Sequence, residues 1–155
     1  MKFLVTEECG RLARWLRLMG YDAAAQAAQP VSGLYRRAYR EQRIVVTRNH
    51  HIVASCLFRV IHVHSQQLAQ QLQQLIRELP LTMDRQRVFS RCDLCNVEVQ
   101  AVDKSQVRAD VPPPVFQGQR QFHRCPACHR VYWTATHWQR ASRFLEQVCE
   151  DASHA

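Results

Sequence analysis

The sequence predicts an α/β protein: a three-layer α/β/α domain with a parallel sheet over residues 1–80, a linker over 81–90, and a small zinc ribbon with a C-terminal helix over 91–155. Three observations predict it. Short apolar and β-branched runs alternate with helix-period segments through the first half, the pattern of strands joined by crossover helices. Two Cys-x-x-Cys knuckles, at 92–95 and 125–128, stand in the second half at the spacing from which tight turns grip one ion. Charge changes at the same place: residues 1–90 carry 13 Lys/Arg against 6 Asp/Glu, whereas 91–155 carry 8 against 7.

Lys2–Thr6 is a short apolar run suited to a buried parallel strand. Glu7, Glu8 and Cys9 lead through Gly10 into an amphipathic helix over 11–19. Leu12, Trp15, Leu16 and Met19 share one face, Arg11, Arg14 and Arg17 another, and Leu18 falls on the arginine side. Gly20 stops the helix. Residues 23–28 read as a short strand and loop, and Pro30, Ser32 and Gly33 as a turn. A helix follows over 34–42, with Leu34, Ala38 and Tyr35 inward. Ile44–Thr47 is a central strand, and 48–51 stand at its carboxyl end, where open parallel sheets place their sites. Residues 52–57 read as a short helix and 60–63 as another strand. The segment 65–79 is glutamine-rich, but Leu68, Leu72, Leu75, Ile76 and Leu79 recur at helical spacing, so it reads as an amphipathic helix ended by Pro80. In the ribbon, 97–102 and Phe122–Arg124 form a hairpin around a proline-stiffened loop at 111–115. Residues 131–133 leave the second knuckle. A last helix is capped by Thr136 and turns Trp138, Ala141, Leu145 and Val148 inward.

Four thiolates at this spacing predict a closed, tetrahedral, structural zinc site made by Cys92, Cys95, Cys125 and Cys128. Cysteines three apart rarely bridge each other outside redox sites, which weakens a disulfide reading. Cys125 to His129 also fits attachment of a c-type haem, but that requires export and leaves the first knuckle idle. Cys9, Cys56 and Cys149 remain, as buried or free thiols of a reducing compartment. Four apolar residues followed by two acids at the N-terminus make neither a secretory nor a membrane-spanning segment, so a cytoplasmic protein with no membrane partner is expected. Nineteen of the 21 cationic residues are arginine. Arginine forks onto phosphate and stacks on bases, which favours a nucleic-acid partner over a basic composition inherited from the genome.

The segments GRLARWLRLMGYD at 10–22, RIVVTR at 43–48, RCDLCN at 91–96, FHRCPAC at 122–128 and VYW at 131–133 with His137 and Trp138 occur in one order. Together they resemble the Mut-seven C-terminal ribonuclease domain family, a PIN-like nuclease fold with a C-terminal zinc ribbon, over nearly the whole chain. The resemblance implies clustered acids that hold Mg²⁺ or Mn²⁺ and cleave RNA. Where the family has an aspartate ending the first strand, this chain has Thr6. Val31, Ser32 and Gly33 stand where it has acids, and Asn49 where it has another aspartate. Metal-assisted hydrolysis needs several anionic oxygens on hard cations, and neutral side chains supply only weak ligands.

The expectation is therefore an RNA-binding protein on a nuclease fold that has lost its chemistry. Arg11, Arg14, Arg17, Arg43 and Arg48 would contact phosphates, and the ribbon would be a second clamp. The partner is structured or single-stranded RNA, with transfer and ribosomal RNA among the candidates. One alternative is a Mg²⁺- or Mn²⁺-dependent ribonuclease rebuilt on Glu7 or Glu8 with Asn49, where His50 and His51 are acid/base candidates. The other is an adaptor whose ribbon, or helix over 68–79, docks a protein partner.

Overall fold

The computed structural model describes residues 1–27, 30–84, 86–133 and 136–153, the last without the side chains of 136–138. Four strands, β1 (Lys2–Thr6), β2 (Asp22–Gln26), β3 (Ile44–Thr47) and β4 (Val60–His62), form a parallel sheet in the order β2-β1-β3-β4. Phe3 pairs with Ala23 on one side and Ile44 on the other. Successive strand residues point to opposite faces, so both faces must be covered. Phe3, Val5, Val46 and Ile61 pack on one side with Leu12 and Leu16 of α1 (Gly10–Leu18), and with Leu72 and Leu75 of α3 (Leu68–Glu78). Leu4 and Val45 pack on the other with Leu34 and Ala38 of α2 (Val31–Glu41). Each of the larger buried side chains contributes about 1.5–3 kcal/mol.

Local sequence explains most boundaries, and three assignments differ from the expected ones. Helix α2 begins at Val31, so Ser32 and Gly33 form its first turn. Pro30 caps it, and a fixed φ on entry suits a helix start as well as a turn. Residues 52–57 are not helical. They form a loop with an isolated bridge between Ser55 and Phe58, held by Ile52 in the α2-side core and by the Val53 amide on the Tyr35 hydroxyl at 2.9 Å. The proline-rich segment starts α4 (Pro113–Gly118), because Pro113 and Pro114 occupy first-turn positions where no amide partner is needed. The alanine-rich segment forms the expected short strand, which ends at Gln26, and Ala28 lies outside the described residues.

The ribbon is a three-stranded antiparallel sheet, β5 (Gln100–Val102), β6 (Phe122–Arg124) and β7 (Val131–Tyr132), over a small core of Val107, Val111 and Phe122. It is followed by α5 (Thr136–Ser153), whose Leu145 and Val148 join the larger core beside α3. The expected cap at Thr136 and the expected inward Trp138 lie outside the described side chains.

The described residues on either side of position 85, from Leu81 to Phe89, pack on the end of α1. Leu81 is buried, the Phe89 amide donates to the Leu18 carbonyl at 2.7 Å, and the Tyr21 hydroxyl and Thr82 amide are 2.9 Å apart. Gly20 makes this close approach possible. Its φ of +87° stops the helix, and a Cβ there would run into the Arg87 carbonyl.

Strand β2 lies at an edge of the sheet, and its outward groups are nonetheless occupied. The Ala23 amide donates to Asn96 Oδ1 at 2.9 Å, and Arg17 Nε donates to the Ala23 carbonyl at 2.7 Å. Arg37 reaches the Ala25 carbonyl at 3.1 Å. Among the described residues, no helix is long and apolar enough to cross a membrane.

Candidate functional site

Thr6, Gln26 and Thr47 end the three adjacent parallel strands β1, β2 and β3, so their side chains arrive at one edge of the sheet. A single 3₁₀ turn over Glu7–Cys9 then carries the chain into α1 and sets Glu8 over that edge. Three donors converge on one oxygen, Glu8 Oε1: the Thr6 hydroxyl at 2.6 Å, the Thr47 hydroxyl at 2.8 Å and the Arg48 amide at 3.0 Å. Asn49 is occupied in the turn after β3, where its Oδ1 accepts from the His51 amide at 3.0 Å. A cleft of about 250 Å³ opens here, lined by Thr6, Glu7, Glu8, Gln26 and Asn49. A second, of about 320 Å³, opens on the other side of the turn between Glu7, Glu8, Arg11 and Arg48.

Glu8 is thereby fixed as an anion. Partial burial works to raise its pKa, but the hydrogen bonds from the Thr6 hydroxyl, from the backbone and from the Thr47 hydroxyl outweigh it and hold the carboxyl at about 2. The folded value lies below the ordinary 4.5, so ionised Glu8 stabilises the fold at neutral pH. That contribution fades as pH falls from about 4.5 towards 2. Glu8→Gln is expected to flatten this part of the acid-unfolding curve, followed by circular dichroism. An identical acid limb in the variant would overturn the assignment.

The donor set at the strand ends does not fit Mg²⁺ or Mn²⁺. Hard cations take several anionic oxygens, and here Thr6, Gln26 and Asn49 are neutral while Glu8 Oε1 already accepts three hydrogen bonds. Glu7 lines both clefts and is exposed. His50 stacks on His62, with ring centres 5.5 Å apart.

The five singled-out arginines divide into two groups. Arg17 is only 7% exposed, and its donors go to the carbonyls of Ala23, Asp93 and Leu94 at 2.7–2.9 Å. Arg43 pairs with Asp22 at 2.7 Å and Glu41 at 2.5 Å. Most of the donors of these two guanidiniums are thereby turned inward, to carbonyls for Arg17 and chiefly to carboxylates for Arg43. Arg11 and Arg14 are exposed and Arg48 is half-buried. Arg14 also meets Asp93 at 2.6 Å while keeping more than half its side chain in solvent. A helical wheel cannot separate Arg14 from Arg17, because two of the three partners of Arg17 lie more than 70 residues away. Gln26 and Thr47 escaped the sequence reading, although the rule that parallel sheets place their sites at strand ends points to both.

The two knuckles fold alike. In each, the first cysteine's carbonyl accepts from the amide four residues on, Asn96 or His129, at 3.0 Å, and that residue has positive φ. The Cys95 amide reaches the Cys92 sulfur at 3.3 Å, and the Cys128 amide the Cys125 sulfur at 3.4 Å. The four sulfurs lie within 4.8 Å of one another, and those of Cys92 and Cys128 are 3.8 Å apart. Four thiolates about 2.3 Å from one tetrahedral ion sit about 3.8 Å apart, so these residues fit a metal ion such as zinc. The Tyr132 hydroxyl donates to the Cys92 sulfur at 3.1 Å and lies 2.8 Å from Asp93 Oδ1. Cys9 is buried, Cys56 is exposed and Cys149 is half-buried.

A family model described as the Mut7-C RNAse domain matches residues 1–145 of the 155. No curated protein and no solved structure matches the chain.

Proposed function

The chain belongs to the Mut7-C RNAse domain family, and from that premise we propose that it binds RNA across the carboxyl ends of β1 and β3 without cleaving it. One observation carries the reading: the carboxylate set over those strand ends, Glu8, is held by two hydroxyls and an amide and stands among neutral Thr6, Gln26 and Asn49. The site offers too little negative charge to concentrate divalent ions, while the surface around it is basic. The chain carries a net charge of +8; Arg11 and Arg48 line the cleft beside Glu7 and Glu8, and Arg14 is exposed three residues further along α1. The ion of the ribbon is zinc in this reading, a closed four-thiolate structural centre with no open position.

The test is a gel assay of zinc-loaded protein with labelled single-stranded and structured RNA, with and without Mg²⁺ or Mn²⁺, beside a Glu7→Gln/Glu8→Gln variant. Expected is a shift of intact RNA that weakens with salt. Three phosphate contacts to a single strand give a slope of roughly −2 in log affinity against log salt. Metal-dependent cleavage that disappears in the double variant would replace this reading with a working ribonuclease built on Glu7 and Glu8. Neither shift nor cleavage would move the function to protein docking.

A further inference from the structure

A further cleft opens away from the strand ends. It has about 580 Å³ and lies between α1, the first knuckle, β7 and α5, within the roughly 300–1,000 Å³ typical of small-molecule pockets. We propose that this cleft seats one unpaired nucleotide of a bound RNA, an inference that rests on the RNA reading above.

Its walls are aromatic and apolar: Trp15 and Leu18 from α1, Phe89 from the segment before the first knuckle, and Trp133 just after β7. Its rim is cationic, with Arg11, Arg14 and Arg130. One acid, Asp93, is present, and it is already engaged by Arg14 at 2.6 Å and by the Tyr132 hydroxyl at 2.8 Å. Among the described residues, Arg11 has neither a hydrogen bond nor an ion pair. A ligand matching this cleft has flat apolar faces and a negative charge at one end. An unpaired nucleotide has both, since its base stacks on aromatics and its phosphate meets guanidinium groups. A base inside a duplex is already stacked and out of reach.

Two further features support the assignment. Phe89 has φ of +62°, a left-handed conformation that costs a side-chain-bearing residue on the order of 1–2 kcal/mol, and it stands at the wall of the cleft. The cleft also adjoins the strand-end site through one shared residue. Arg11 lines both this cleft and the one shared with Glu7, Glu8 and Arg48. Arg11, Arg14, Trp15 and Leu18 fall at i, i+3, i+4 and i+7, one stripe along α1. A strand crossing the sheet edge at Arg48 therefore follows this stripe into the cleft. Leu18, which breaks the arginine face on a helical wheel, becomes part of the wall.

The experiment measures the affinity of the zinc-loaded full chain for a labelled single-stranded RNA. One abasic nucleotide is walked along the strand, and a blunt duplex of equal length serves as comparison. Expected is a loss on the order of tenfold at one or two abasic positions and little elsewhere, with weaker duplex binding. Leu18→Glu and Trp133→Leu should each remove that positional dependence. The abasic series needs no protein variant, so it stands even if Trp133→Leu disturbs the ribbon core. Salt-sensitive binding that ignores the abasic position, or equal affinity for duplex and single strand, overturns the cleft and leaves the strand-end reading intact. No binding of any RNA overturns both.

Discussion

Stripping the ion from the four-cysteine site is expected to unfold the ribbon and to loosen α1 with it. Structural zinc contributes about 10–16 kcal/mol to small zinc domains at neutral pH, more than a core of Val107, Val111 and Phe122 supplies. The coupling to α1 follows from the knuckle itself. The carbonyls of Asp93 and Leu94, which only a folded first knuckle holds in place, accept from the Arg17 guanidinium at 2.8 and 2.9 Å. Asp93 also holds Arg14 at 2.6 Å. Hydrogen exchange before and after chelation, with metal content checked by mass spectrometry, should show lost protection in β5–β7 and a smaller loss in α1. Unchanged exchange and an unchanged cooperative melt in verified metal-free protein would falsify this.

The second large effect is expected from Arg17→Met. The substitution keeps most of the apolar stem and removes the head group, leaving three backbone carbonyls without their donor at a position 7% exposed. Charge-assisted hydrogen bonds contribute about 1.5–3 kcal/mol each, and shared relaxation keeps the sum below three times that. A loss of about 3–5 kcal/mol is expected, or roughly 10 °C in melting temperature for a chain of this size. Metal content should stay full, because the four cysteines are untouched. An unfolding free energy from urea titration within about 0.5 kcal/mol of wild type would count against this structural role of Arg17.

The parts of the fold legible in the sequence are those decided by neighbours in the chain. The β-branched run at Ile44–Thr47, the leucine spacing of α3 and the paired knuckles each carry their signal within a dozen residues. The misread parts are decided at a distance. Residues 52–57 read as a short helix, but Ile52 is drawn into the core against α2 and Tyr35 holds the Val53 amide. The prolines at 112–114 read as stiff loop, whereas two of them start a helix. The strand-end position was legible from Asn49 and the adjacent glutamates. That Glu8 would be the group gathered by Thr6 and Thr47 was not, because it depends on β1 and β3 being neighbours. The aromatic cleft draws on residues 15, 18, 89 and 133, and only the misplaced Leu18 hinted at it.

The bonds that the ribbon makes to β2 have a colloidal consequence. An alanine-rich strand at a sheet edge is a template for another chain, since small side chains do nothing to keep a second strand away. Here the outward amide of Ala23 is covered by Asn96, which sits in the first knuckle, and its carbonyl by Arg17, which that knuckle anchors. A metal ion held by the four cysteines would thus guard against self-association as well as hold the small ribbon together. Chelated protein should form oligomers through the Asp22–Gln26 edge well before the sheet itself melts. Light scattering on the metal-free sample decides the point, and a persistently monomeric sample counts against it.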